Sequence, residues 1–279
     1  MSVKSLLSRG EASFDFYPYN PSNAAGYFFV VVYAIITSTQ LVLLVRYRTW
    51  FCVPLFLGCL AETGGYYGRA WAHNNRRFSD PYLLQLFLII GASPLISASI
   101  YMALPRLSRT LTQGKRRMRW MSKIYILLDV ICLVLQIMGT VMQAYGSGKT
   151  KQNSTRYIAG GLIFQLLAFL IYMIMVATLH RRLRHEPPSM FYQHDSPRWW
   201  SCFYALYAAS FLISIRSLVR VVEFLQGSQS SIASHEAYLY LFDAAPMFLA
   251  VTFFAVWHPA RVIRFDHKQK HNDIDQPLS

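Results

Sequence analysis

The sequence predicts an all-α, polytopic membrane protein: a seven-transmembrane-helix bundle with its N-terminus outside and its C-terminus cytoplasmic. Three observations predict it. Apolar runs of about twenty residues or more recur along the whole 279-residue chain, which is 54% hydrophobic and 14% charged, and about twenty residues span the hydrocarbon core as a helix. Lys and Arg alternate between the connecting segments: segments 46–49, 105–119, 180–198 and 258–279 together carry 16, and segments 1–23, 73–80, 146–155 and 226–234 carry 6. Acidic and basic residues inside the apolar runs repeat at a spacing of seven.

Each helix has its own justification. The turn-rich segment Tyr17-Pro18-Tyr19-Asn20-Pro21-Ser22 leads into a first span over 24–45, since the residue before a proline favours extended backbone. The second span, 50–72, holds Gly64, Gly65 and Gly68, small residues that let helices approach closely in lipid. The third, 81–104, carries Pro94 and is expected to kink there. The fourth, fifth, sixth and seventh run over 120–145, 156–179, 199–225 and 235–257. Asp195-Ser196-Pro197 precedes the sixth, with Trp199 and Trp200 at the interface, and His258-Pro259 ends the seventh. Loops are short, so neighbouring helices are expected to be antiparallel. The organisation is thus an extracellular N-terminal segment 1–23, a membrane domain 24–257 and a disordered cytoplasmic tail 258–279.

The positive-inside rule sets the orientation. It also explains the net charge of +14 without nucleic acid: Lys115-Arg116-Arg117 is read as touching anionic lipid headgroups at the cytoplasmic face. No signal peptide is expected, so the first helix serves as an uncleaved signal-anchor. Asn153-Ser154-Thr155 is a glycosylation sequon on the predicted outer side, making Asn153 a candidate acceptor. Cys52, Cys59, Cys132 and Cys202 all fall in spans with no CxxC spacing and are read as packing residues.

The intramembrane charges point to a site. Glu62 and Arg69 share the second span, Arg216, Arg220 and Glu223 the sixth, Glu236 and Asp243 the seventh; Asp129 is followed by Gln136 and Gln143 in the fourth. Seven residues along a helix is about 700°, so each set falls on nearly one face. A charge at the bilayer centre costs roughly 2.5–3.5 kcal/mol, which a shared internal chamber relieves. With the predicted topology most of these groups lie in the outer half, with Asp243 about two turns deeper than Glu236. Asp129 and Lys123 alone fall in the cytoplasmic half. Glu62, Asp129, Glu223, Glu236 and Asp243 oppose Arg69, Arg216 and Arg220, a surplus of acid that suits protonation or a bound cation such as an amphiphile's amine; Lys123 offsets one acid at most. The plainer reading is a structural ion-pair lattice, with Arg220 and Glu223 pairing locally at i, i+3.

Other chemistries find little support. The eight histidines avoid the span centres, which disfavours an intramembrane metallohydrolase, and no metal or catalytic residue is assigned. No P-loop is present, and no cofactor is expected. The seventh span has no lysine for a retinal Schiff base.

At these residues the chain resembles the fungal lipid-translocating exporter family, which includes resistance proteins for 7-aminocholesterol, sphingoid long-chain bases and other amphiphiles, and a protoporphyrin transporter. The likeness runs through Tyr17-Pro18 and Pro21-Ser22, Glu62-Thr63-Gly64-Gly65-Tyr66-Tyr67-Gly68-Arg69, Asp129, Gln136 and Gly139, then Arg216, Arg220, Glu223 and Gly227. It closes on His235-Glu236, Tyr240, Asp243-Ala244-Ala245-Pro246-Met247 and His258-Pro259. Gly64 stands where a bulkier residue is expected. The resemblance implies seven helices, a fungal plasma or internal membrane, and a non-enzymatic role in moving or resisting lipids and amphiphilic small molecules. On that reading Glu62, Glu223 and Asp243 receive a cationic head, Arg69, Arg216 and Arg220 hold those acids or contact phosphate, Gln136 and Glu236 complete the site, and Asp129 relays a proton. The alternative is a seven-helix sensor that alters lipid asymmetry without transporting.

Overall fold

The computed structural model describes residues 22–73, 79–112, 117–145, 149–185, 199–226 and 236–259. Those residues are almost wholly helical, with no strand among them. Helix α1 runs Asn23–Tyr47; Ser22 caps it, its Oγ accepting from the Ala25 N–H at 3.3 Å. It stops at Arg48, whose left-handed backbone (φ 48°) lets the next N–H groups turn back onto the Leu44 and Val45 carbonyls. A short 3₁₀ turn, Trp50–Cys52, leads into α2, Val53–Ala72, which opens with Pro54 in its first turn. Then follow α3 (Ser79–Thr112), α4 (Arg117–Tyr145), α5 (Lys149–His185) and α6 (Trp199–Gln226). The last rod, α7, is Glu236–Val256.

Six of these helices are long and apolar enough to cross a membrane: the segments Asn23–Tyr47, Leu83–Arg109, Trp120–Met142, Asn153–His185, Trp200–Glu223 and Glu236–Val256. The second expected span, α2, does not meet that standard. Its 20 residues include Glu62, Arg69 and four glycines, which lower its apolarity. It is nonetheless an inner helix, packed between α1 and α3 with Glu62 and Arg69 buried. Several helices outrun their expected bounds, α3 and α5 most of all. Hydropathy marks where apolar sequence ends, whereas helical hydrogen bonding continues through polar turns.

The rods pack in sequence, α2 on α3, α4 on α5, α5 on α6 and α6 on α7, and α7 returns to α1. Two glycines set the α2–α3 approach. A Cβ on Gly58 would lie 2.6 Å from Ile96 Cγ1, and one on Gly65 would lie 2.5 Å from Ile89 Cγ1, closer than packed atoms allow. Helix α3 continues through Pro94 and Pro105 rather than ending at either. All four cysteines are buried, and none of them forms a disulfide.

Helix α7 is not uniform. Its first turn, Glu236–Leu239, passes into a π-helical stretch, Tyr240–Ala244, before α-helix resumes over Ala245–Val256. Ala245 N–H reaches back five residues to the Tyr240 carbonyl. Pro246 lacks the N–H that would serve the Phe242 carbonyl, and the Tyr33 hydroxyl of α1 donates to the Ala244 carbonyl at 2.7 Å. One wide turn is thereby fixed where Asp243 sits. Such turns inside α-helices concentrate at functional sites.

Candidate functional site

Seven of the predicted residues converge at the end of the bundle formed by the start of α1, the end of α2 and the start of α7. They form a deep network and a rim. In the deep network Asp243 is the hub. Arg220 Nε donates to Asp243 Oδ1 at 3.2 Å and Nη2 to Oδ2 at 2.7 Å. Arg216, one turn earlier on α6, pairs with the same carboxylate through Nε and donates through Nη2 to the Ile89 carbonyl at 3.2 Å. Arg220 also reaches Glu223 at 3.6 Å, the expected i, i+3 pair. The spacing of four explains this: Arg216 and Arg220 are neighbours on one face of α6, and the wide turn in α7 presents Asp243 to both.

Glu62 is different. It is 1% exposed, and neither of its oxygens has a hydrogen-bond partner among the described residues. The cation nearest to it is Arg216, at 3.9 Å, already engaged by Asp243. A buried carboxylate satisfied this poorly is unusual, because desolvation costs several kcal/mol per ion, by rough estimate.

At the rim, Glu236 ties three helices together. Its two oxygens each accept from the Ser22 N–H at 2.9 Å, and Oε1 accepts from Arg69 Nη2 at 3.2 Å and the Tyr240 hydroxyl at 3.1 Å. Arg69, itself 1% exposed, also donates from Nε to the Tyr240 oxygen at 3.1 Å. Between rim and hub stands an aromatic wall: Phe29 on Tyr240 at 4.8 Å and Tyr33 on Tyr66 at 5.3 Å between ring centres. Tyr33 and Tyr66 were not singled out from sequence, where an aromatic in an apolar run carries no mark of its own. Tyr66 lies in the stretch that carries the family likeness, the one available signal.

Gln136 joins from the far side. Its Nε2 donates to Gln165 Oε1 at 3.1 Å, and both line a small cavity with Ser93, Ser217, Arg216 and Arg220. About 20 Å³ of this space is open, room for roughly one water. Gln165 Nε2 is buried there without a partner among the described residues. Sequence spacing does not mark Gln165; only its contact with Gln136 reveals its place.

Asp129 stands apart from these networks, buried on α4 with no hydrogen bond to either oxygen. Lys123 does not offset it: that side chain is exposed, its ammonium 5.5 Å from the Trp120 ring centre. The reason is direction. Six residues on a helix is about 600°, so the two side chains point to different faces. Asn153 is exposed but lies within α5, with Ser154 buried. Lys115-Arg116-Arg117, His235, Gln143, the start of the chain through Pro21 and the tail from residue 260 fall outside the residues or side chains described. No group of three or more His, Cys, Asp or Glu among the described residues could hold a metal.

The family model described as RTA1 like protein matches residues 55–266, which takes in all but the first two residues of α2, the whole of α3 to α7 and every charged residue of the two networks. The chain belongs to this RTA1-like family. Among RTA1-like relatives, the protein RTM1 of Saccharomyces cerevisiae is 34% identical over 207 residues, 73% of this chain and 66% of that protein, so the match spans just under two thirds of its length. The protoporphyrin uptake protein 1 of the same species is 30% identical over 289 residues, covering 90% of this chain and 94% of its own. The sphingoid long-chain base transporter RSB1 from Saccharomyces cerevisiae is 22% identical over 267 residues, covering 82% and 69%. No solved structure matches the chain. RTA1-like membership agrees with an integral, multi-pass membrane protein.

Proposed function

We propose that this protein translocates lipids or cationic amphiphiles across the membrane, with the Glu62–Arg216–Asp243 centre receiving the charged head. The observation that carries the reading is the Glu62 carboxylate, buried with neither oxygen hydrogen-bonded. In the two networks Glu62, Glu223, Glu236 and Asp243 face Arg69, Arg216 and Arg220, so one acid lacks a cation. An ammonium head supplies that charge together with the donors Glu62 lacks. The relative named as a sphingoid long-chain base transporter supports a substrate of this kind.

All seven rods cross the bilayer in this account, α2 shielded by its neighbours. The basic residues Arg46, Arg48, Arg106, Arg109, Arg182 and Arg184 gather at the helix ends remote from the site. That distribution supports a cytoplasmic C-terminus and a site opening toward the outer leaflet; the plasma membrane is the membrane we propose for it. Resistance to toxic amphiphiles follows if head and tail are carried outward.

The test is movement of a labelled sphingoid base by purified protein in liposomes, with labelled protoporphyrin as the competing cargo. Base movement above that of empty liposomes supports the reading. Movement of porphyrin alone, whose carboxylates suit the arginines, would reassign the cargo. Binding without movement would favour a sensor.

A further inference from the structure

Asp129 is a buried titratable group that the headgroup centre does not use. It lies seven residues before Gln136 on α4, about 10 Å farther from the arginines along the axis. It is 1% exposed and neither oxygen has a hydrogen-bond partner among the described residues. One other polar atom beside it is equally bare: the Tyr101 hydroxyl of α3, 0% exposed and without a partner. The two groups are close enough to interact electrostatically.

What surrounds them is aromatic. Tyr101 packs on Tyr172 at 4.8 Å, Phe169 at 5.2 Å and Tyr125 at 5.3 Å between ring centres. The groups facing this spot are Tyr101 from α3, Tyr172 from α5, and Tyr125 and Cys132 from α4 itself; Tyr172 is committed, donating to the Ile100 carbonyl at 2.9 Å. No cation among the described residues pairs with Asp129. An ionised carboxylate in such a place has nothing to replace its water. The neutral acid fits better: it carries no charge to desolvate, and like the Tyr101 hydroxyl it makes no hydrogen bond among the described residues.

We propose that Asp129 is a proton-binding site, loaded in this conformation and discharged when α3, α4 and α5 part, and that it couples proton movement to translocation. In the discharge step the carboxyl O–H bond breaks, the proton passes to water entering between the helices, and a carboxylate remains until it is reloaded. The site is separate from the headgroup centre, so cargo and proton occupy different places. The coupling half of the inference rests on the translocator reading; the proton site does not.

Two measurements test it. Infrared spectra of the purified protein in lipid at neutral pH are compared between wild type and Asp129→Asn. A neutral-carboxyl C=O band present in wild type and lost in the variant is expected; identical spectra overturn the site. In liposomes, a pH gradient should change wild-type movement of labelled sphingoid base severalfold. Asp129→Asn should move the base at one rate whatever the gradient, and Asp129→Glu should restore the response. A full gradient response in Asp129→Asn overturns the coupling, as does loss of movement that Asp129→Glu fails to restore; loss that it restores is obligatory coupling. If wild type moves no base, the translocator reading fails while the infrared result still decides the proton site.

Discussion

Arg220 grips Asp243 with two hydrogen bonds, at 3.2 and 2.7 Å, from a helix 23 residues away in sequence, although Glu223 is available one turn along its own helix at 3.6 Å. The choice has a physical cause. Asp243 is 5% exposed and also faces Arg216, so the deep pair is better desolvated than the half-buried local one.

Asp243→Asn should therefore destabilise the protein strongly. It leaves two buried guanidiniums short of a counter-charge, and breaking a buried pair costs about 3–5 kcal/mol. Thermal denaturation in detergent should show a clearly lower midpoint for Asp243→Asn than for Glu236→Gln, because Glu236 is partly wet and its pairs are screened. At matched surface abundance, Asp243→Asn should also impair resistance to a long-chain base more than Glu236→Gln. The reverse order would place the site at the rim.

Glu62→Gln should behave in the opposite way. Glu62 makes no hydrogen bond and has one long contact to Arg216, so removing its charge should change stability by no more than about 1 kcal/mol, in either direction. Base binding should nevertheless fall by tenfold or more, the loss of one charge-assisted contact of about 1.5 kcal/mol or greater. Binding titration beside denaturation of the same preparation separates the two effects.

Glu236→Ala should loosen the start of α1. The carboxylate holds the Ser22 N–H with both oxygens while engaging Arg69 and Tyr240. Hydrogen exchange across the first turn of α1 should quicken, and that across the buried middle of α6 should not. Equal acceleration in both would mean that the rim also supports the hub.

Gly65→Val should disturb the arginine centre without touching it. The added side chain collides with Ile89, whose carbonyl accepts from Arg216 at 3.2 Å. Overpacking typically costs about 1–3 kcal/mol, and the shift of α3 should weaken base binding as well. Gly64→Ala should be milder, because the Cβ there approaches only the flexible end of Leu88.

Much of this was legible in the residues. Spacing alone puts Glu62 and Arg69 on one face of α2 and Arg216 and Arg220 on one face of α6, because a helix turns by a fixed angle; it does not show that Glu62 joins the deep network while Arg69 pairs at the rim. The partners were harder to read. Lys123 was weighed against Asp129 on depth alone, yet it turns to the Trp120 ring on the exposed side of α4. The wide turn at Tyr240–Ala244 was not visible either. It depends on Tyr33, 211 residues away, reaching the Ala244 carbonyl, and no local pattern encodes a contact of that kind. Nor does spacing reveal that Glu62 is left without a hydrogen bond, since that follows from how α6 divides its arginines.

The central claim is that a buried acid recognises a cationic head, and one comparison tests it most directly. Purified protein in liposomes is offered a labelled sphingoid base and, separately, the same base with its amine acetylated, which keeps the tail and hydroxyls but removes the charge. Wild type should move the amine form and largely ignore the neutral one, and Glu62→Gln should lose the movement of the amine form while remaining folded. Equal movement of both forms by wild type, or full movement of the amine form by Glu62→Gln, would contradict the account.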